Sequence, residues 1–291
     1  MTQRRQALTG LTFTSPAIIA FLIFWLLPVA LTLFYSFTTW RLGSDPSFVG
    51  VENFIDLLAD PLFIKATGAS LKIAAFAVIP SLLLAMLLAI ALADPRIRLG
   101  RLWRVLFMIP VVTDWVATGL VWQLILLPNQ GVLASVAQSL NLDFLVRVPW
   151  TSDATLAPIA IAVFIIWKQT SLYMIFFYAA IRSVPRDVIE AAHVDGATPW
   201  QVFWRIKWPL MRPITVFVVV LSFITTLGLF EPVYMLTGGG PANATRTLPI
   251  FLYENFFTYS QSGYASAAGV LFLAGSLAFA VICSRIMKEE A

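Results

Sequence analysis

Long apolar runs at 13–38, 69–93, 105–127, 157–181, 214–236 and 264–284 alternate with polar segments rich in Pro, Gly, Asn and Arg. A bilayer core about 30 Å thick takes about 20 residues at 1.5 Å rise, so the pattern predicts six transmembrane helices. Pro28, Pro80 and Pro110 fall inside three of the runs. They predict kinks rather than breaks, because neighbouring helices compensate for the lost backbone bond. The first run follows Arg4 and Arg5 as a signal peptide would. It is longer than the roughly 7–15 residues of a signal core and has no clear small-residue cleavage site, which predicts a retained anchor.

Composition agrees: 59% of the 291 residues are hydrophobic and 12% charged, with a mean hydropathy of +0.85. Soluble domains carry about 25% charge, so this is an all-α integral membrane protein lying in the lipid bilayer. The net charge of +4 is dispersed and does not point to nucleic acid. With a single cysteine, Cys283, neither an intrachain disulfide nor a thiolate metal site can form.

Basic residues set the orientation. Arg4 and Arg5; Arg96, Arg98, Arg101 and Arg104; Arg182, Arg186, Arg205, Lys207 and Arg212; and Arg285 and Lys288 all fall on one side. The other side has only Arg41, Lys65, Arg147 and Arg246. The positive-inside bias then predicts both termini and the 182–213 loop in the cytoplasm. The external loops, 39–68, 128–156 and 237–263, are too short for separate domains, so residues 1–291 read as one transmembrane domain. No GxxxxGK[ST] phosphate loop occurs; any ATP-driven engine is another chain.

The polar stretch Glu190–Pro213 is the place for a soluble partner. Pro185 suits a helix start, Asp187 favours the N-terminal dipole, and Val188–Val194 predicts a short helix. Gly196 offers the left-handed turn that closes it, and Thr198-Pro199 supplies N-cap and N1 of a second short helix at an angle to the first. Trp200, Phe203, Trp204 and Ile206 on the second helix suggest a face inserted into a groove.

These residues resemble the inner-membrane permease subunits of binding-protein-dependent ABC importers, with the type I permease fold. The signature of that family is EAA, then a DG pair, then I-x-L-P. Here it reads Glu190-Ala191-Ala192, Asp195-Gly196-Ala197 and Ile206-Lys207-Trp208-Pro209, with Trp208 where leucine is usual. The resemblance implies a coupling helix docked on an ATPase through Glu190, Ala191, Ala192, Asp195, Gly196, Ala197, Phe203, Ile206 and Pro209. Phe230–Pro241 with Thr245, Tyr253 and Gly263–Ala267, together with Trp103–Gly131 and Phe48–Phe54, are similar to the MalF-like permeases for carbohydrates and glycerol phosphate. That likeness implies a second related permease chain, two ATPase subunits holding the ATP and Mg, and an extracytoplasmic solute-binding protein. It also implies sugar import by alternating access in the bacterial cytoplasmic (inner) membrane, with no cofactor on this chain.

Charges at membrane depth cost about 2.5–3.5 kcal/mol on insertion scales and face a cavity or a partner. Lys168 falls near the middle of the 157–181 run, Asp114 near the middle of the third, and Glu231 near the outer end of the fifth. Two hypotheses stand: Asp114 and Lys168 form a structural pair, or both line the translocation cavity with Glu231. A cavity lysine would suit an anionic sugar derivative. Trp167, Gln169, Tyr173, Phe230 and Tyr234 surround these charges in sequence, and aromatic faces with a few polar groups are what a sugar site needs. The same aromatics also serve as lipid-facing or helix-packing groups, and Trp40, Trp103 and Trp150 at run ends read as interfacial anchors.

Gly238-Gly239-Gly240-Pro241 lacks the lysine of a phosphate loop and reads as a tight external turn. His193 stands alone in the coupling segment, and no nucleophile, acid–base pair or metal-ligand spacing predicts an enzyme. The rival transport reading, an ion-coupled secondary transporter, would want an inverted repeat or more membrane carboxylates.

Overall fold

The computed structural model describes residues 3–94 and 96–289. The side chains of 3–11 and 286–289 lie outside that description, and with them Arg4, Arg5 and Lys288 of the orientation argument. In chain order the helices are α1 (Gln3–Phe21), α2 (Leu27–Tyr35), α3 (Glu52–Ala59), α4 (Pro61–Ala93), α5 (Gly100–Val112), α6 (Trp115–Leu126), α7 (Val132–Ser139) and α8 (Asp143–Val146). They continue with α9 (Leu156–Ser183), α10 (Arg186–Val194), α11 (Pro199–Val202), α12 (Trp208–Leu227), α13 (Glu231–Leu236), α14 (Leu248–Tyr253) and α15 (Ser262–Glu289). Among the described residues, extended pairing is limited to one bridge between Thr38 and Phe48. Among the described residues five helices are long and apolar enough to cross a membrane, and six if α5 and α6 count as one bent span. The chain divides into two compact units, 1–61 with 251–275, and 62–250 with 276–291.

In the first unit, α1 passes into α2 through π-helical Leu22–Leu26. Pro28 has no N–H for the carbonyl of Phe24, and the ladder widens upstream, with Leu27 N–H donating to the Leu22 carbonyl. Asn53 of α3 donates to the Ser36 and Thr38 carbonyls, both at 2.9 Å, tying the turn after α2 to the FVGVENF segment. Gly263 at the start of α15 lies against the Thr38 carbonyl so closely that no side chain fits, and its N–H donates to the Trp40 carbonyl at 2.9 Å. Tyr264 donates to Asp60 Oδ2 at 2.9 Å. Much of the sequence shared with the MalF-like pattern in this region is therefore loop-fixing chemistry.

The second unit is built on α4, α9 and α12. Small residues of α4, Ala85 and Ala89, are fully buried in one cluster with Tyr173, Phe177 and Ala180 of α9 and Met211 and Val218 of α12. A second cluster joins Ile73 and Ala77 to Ile161, Phe164, Ile165, Val233 and Leu236. Lipid tails are as apolar as these side chains, so close packing at small residues, rather than escape from water, holds such helices together.

Three features depart from the pattern read in the sequence. The third run, 105–127, is two helices bent by 97°, and the break is at Thr113-Asp114 rather than at Pro110. Both residues are extended, with ψ of 149° and 148°, and Asp114 caps the next helix. The fifth run, 214–236, ends as a helix at Leu227, and Glu231 opens the separate α13 with Pro232 in its first turn. The second short helix of the 182–213 loop does not stand alone: α11 runs through π-helical Phe203–Lys207 into α12, making one helical stretch over Pro199–Leu227. Pro209 lacks the N–H that would reach the Arg205 carbonyl, and the wider turn upstream absorbs that defect without ending the helix.

Candidate functional site

The EAA segment folds by terminating itself. Val184 before Pro185 is extended, and α10 starts at Arg186 with Asp187 in its first turn. Its far end is a Schellman closure: Ala197 N–H donates to the Ala192 carbonyl at 2.9 Å and Gly196 N–H to the His193 carbonyl at 3.1 Å. Gly196 has φ +80°, where a side chain is strained. Thr198 then caps α11, accepting from Gln201 N–H at 3.3 Å while Gln201 Oε1 accepts from Thr198 N–H at 2.8 Å. This reciprocal box fixes the angle between the two helices, and Gln201 was not among the residues singled out above. The S/T-x-x-E/Q spacing carried the signal.

On this frame Glu190, Ala191 and Asp195 are exposed and Ala192 and Ala197 half-buried. Val194 is 88% exposed and His193 is exposed as well. Phe203 and Ile206 are half-buried and Pro209 exposed. Trp208 joins a ladder, its ring 5.5 Å from Trp204, which is 5.4 Å from Trp200.

The membrane charges sit at the broken third span. Lys168, 3% exposed at the centre of α9, donates from Nζ to the Pro110 carbonyl at 3.0 Å, to Thr113 Oγ1 at 3.1 Å and to the Thr113 carbonyl. Its ammonium also lies 4.8 Å from the Trp115 ring. All three donors are thus engaged by the C-terminal end of α5, where free carbonyls and the helix dipole concentrate negative charge. Asp114 serves the opposite end: its Oδ1 accepts from Val116 and Ala117 N–H at 2.8 and 3.0 Å, capping α6. Among the described residues neither Asp114 nor Glu231 forms an ion pair with Lys168. Lys168 and Asp114 instead close one end of the break each, while Glu231 lies apart in the first turn of α13.

One residue on from Lys168, Gln169 Oε1 accepts from the Tyr173 hydroxyl and from Thr226 Oγ1, the latter at 3.0 Å, and Tyr173 lies 3.4 Å from Thr225 Oγ1. Thr225 and Thr226 are functional candidates that the sequence reading missed; two hydroxyls side by side in an apolar run were the available signal. Tyr173 is fully buried. Trp167, 40% exposed, lies in a ring cluster with Phe164 and Trp122. Phe230 and Tyr234 stack at 4.9 Å on α13 with Glu231 between them, and Gln123 of α6 donates to the Met235 carbonyl. The structure thus separates the candidates into the Lys168–Asp114 break, the Gln169–Tyr173 cluster, and the α13 face. Among the described residues no three His, Cys, Asp or Glu side chains converge as a metal site would need.

Comparison with known proteins fits this geometry. The family model described as "Binding-protein-dependent transport system inner membrane component" matches residues 73–287. The diacetylchitobiose uptake system permease of Streptomyces coelicolor is 33% identical, over 94% of this chain and 80% of its own. The sulfoquinovosyl glycerol transport system permease of Agrobacterium fabrum is 30% identical, over 97% and 91%. A chain in the crystal structure of a bacterial ABC transporter that imports the acidic polysaccharide alginate superposes with TM-score 0.83 at 22% identity, covering 99% of this chain and 96% of its own. This chain therefore belongs to the family of inner-membrane components of binding-protein-dependent transport systems.

Proposed function

We propose that this chain forms one half of the transmembrane pathway of an ATP-driven sugar importer, working by alternating access with both termini in the cytoplasm. A second related permease completes the pathway. Two ATPase subunits bind ATP and Mg and engage α10 and α11, an extracytoplasmic binding protein delivers the sugar, and this chain performs no hydrolysis. The observation that carries the reading is the α10–Gly196–α11 unit, closed at both junctions by its own caps while Glu190, Ala191 and Val194 stay exposed. A rigid, uncovered unit continuous with α12 can pass a push from the ATPases directly into the membrane.

A neutral saccharide fits best. Lys168, the cation that would favour an anionic substrate, has its three donors engaged by α5. An anionic sugar derivative is the second reading, favoured by the sulfonated sugar in the name of the Agrobacterium relative.

Substrate-stimulated ATP hydrolysis by the co-purified complex in nanodiscs tests both readings. Hydrolysis should require the binding protein and a neutral sugar and collapse in Glu190→Ala. Solute movement by the chain alone, with no ATPase bound, would transfer the protein to the ion-coupled class.

A further inference from the structure

A cavity of about 1370 Å³ opens between the inner half of α4, the end of α9 and the α10–α11 segment. Its volume exceeds the ~300–1000 Å³ of ordinary small-molecule sites. The α4 wall, with Leu83, Met86, Leu87 and Ile90, spans Leu82 to Ala93. That is about 16 Å along the helix, half of a 30 Å bilayer core and the depth of one leaflet. The opposite wall is the ladder Trp200, Trp204 and Trp208. Trp208, where the permease signature usually has leucine, completes the ladder. Arg182, Arg186 and Lys207 line the cavity where α9 ends and α12 begins, and among the described residues none of the three forms an ion pair. Asp94 and Glu190 also line it, leaving cations in excess, and Asp94 Oδ1 already accepts from Arg96 N–H at 2.9 Å.

We propose that this cavity binds one anionic phospholipid of the inner leaflet, with an acyl chain along Leu83–Ile90 and the phosphate among Arg182, Arg186 and Lys207. Cations adjoining the cytoplasmic end of a span are what anionic head groups recognise, and tryptophan sits at the same level. Apolar walls of leaflet depth accept a lipid tail, whereas a soluble anion would use the cations alone. The lipid would then rest against α10 and α11, so its presence stiffens the segment that meets the ATPase. The inference depends on the proposed orientation with α10 inside. Labelling an Asp187→Cys variant in a Cys283→Ser background from each side of the membrane tests that separately, so the two failures are distinguishable.

The whole complex, purified in mild detergent, is exchanged into nanodiscs of phosphatidylcholine with and without phosphatidylglycerol, and retained lipid is counted by native mass spectrometry. Two variants are compared, Arg182→Gln/Arg186→Gln/Lys207→Gln, which removes the charge, and Leu87→Trp, which fills the tail path and leaves the cations. Wild type should retain phosphatidylglycerol. The charge variant should weaken retention by on the order of 100-fold, about fivefold per cation, and Leu87→Trp should weaken it as well. Equal retention in wild type and both variants would overturn the proposal. A photo-reactive benzoylphenylalanine at position 87 that cross-links to the second permease instead of to lipid would also overturn it, by showing a protein helix in the cavity.

Discussion

Thr226 Oγ1 donates to Gln169 Oε1 at 3.0 Å, joining the end of α12 to the middle of α9. Tyr173, fully buried, donates to the same oxygen. The amide oxygen is saturated from inside the protein, which fixes the direction of its NH₂ group. Inter-helix hydrogen bonds in membranes average about 0.6 kcal/mol, with a maximum near 1.7, so Thr226→Val should lower stability by about that amount. Gln169→Leu should cost more, because it strands two buried hydroxyls. Tyr173→Phe should leave uptake KM nearly unchanged, since Tyr173 is shielded from any substrate, while Gln169→Leu should alter it. Thermal unfolding in nanodiscs and sugar uptake by proteoliposomes check both. A large KM change in Tyr173→Phe would show that the cluster opens during transport.

Lys168→Met removes the donors that satisfy the Pro110 and Thr113 carbonyls. An unsatisfied buried polar group costs about 1–3 kcal/mol, so the variant should be destabilised by that amount. Neutral and anionic sugars should lose uptake to the same extent, because the defect is in the α5–α6 break. Lys168→Arg should recover part of the stability. A selective loss of anionic substrate with unchanged unfolding would make Lys168 a substrate ligand instead.

The membrane class and the turn at Gly196 were legible because each rests on short-range chemistry. Apolar runs of bilayer length, Gly196 at a left-handed position and Thr198-Pro199 at a helix start are local facts that tertiary context does not overturn. The break at Thr113-Asp114 was hidden because Asp114 reads equally as a buried charge and as a helix cap, and only the fold shows that Val116 and Ala117 offer it their N–H groups. Pro110 pointed to nearly the right place and to the wrong kind of bend. Likewise, Lys168 carried the same signal for a substrate cation as for a helix-end cation. Its partners lie more than fifty residues earlier in the chain, beyond any periodicity.

Gly196→Ala has room for its methyl group, since nothing lies within 4 Å of the added Cβ, but φ is +80°. The penalty is therefore conformational, about 1–2 kcal/mol, and falls on the angle between α10 and α11. Global stability should barely change, because the segment is exposed and its local opening can absorb the strain. Coupling should suffer: ATP hydrolysis continues while sugar moved per ATP falls. Gly196→Asn, which tolerates the left-handed region better, should fall between wild type and alanine. Equal transport stoichiometry in all three proteins would show that the turn angle does not carry the stroke.

Gly119 of α6 sets how closely α13 approaches. A Cβ there would meet Met235 Cβ at 2.8 Å and Cγ at 3.1 Å, and one turn later Gln123 holds the Met235 carbonyl. Gly119→Val must push α13 away, at an overpacking cost of about 1–3 kcal/mol. Since α13 carries Phe230 at its cap and Tyr234 on an exposed face, the displacement moves both aromatic candidates together. With Cys283 replaced by Ser, Val233→Cys, at a position 1% exposed in wild type, should resist thiol reagents in the parent and react in the Gly119→Val background. Uptake should fall with it, while ATPase binding, proposed to run through the distant α10–α11 segment, should stay intact. Gln123→Leu should raise reactivity only slightly, because it removes one hydrogen bond and leaves the close packing at Gly119. If the cysteine stays protected and uptake still fails, the defect lies in α6 itself and α13 is not the moving part.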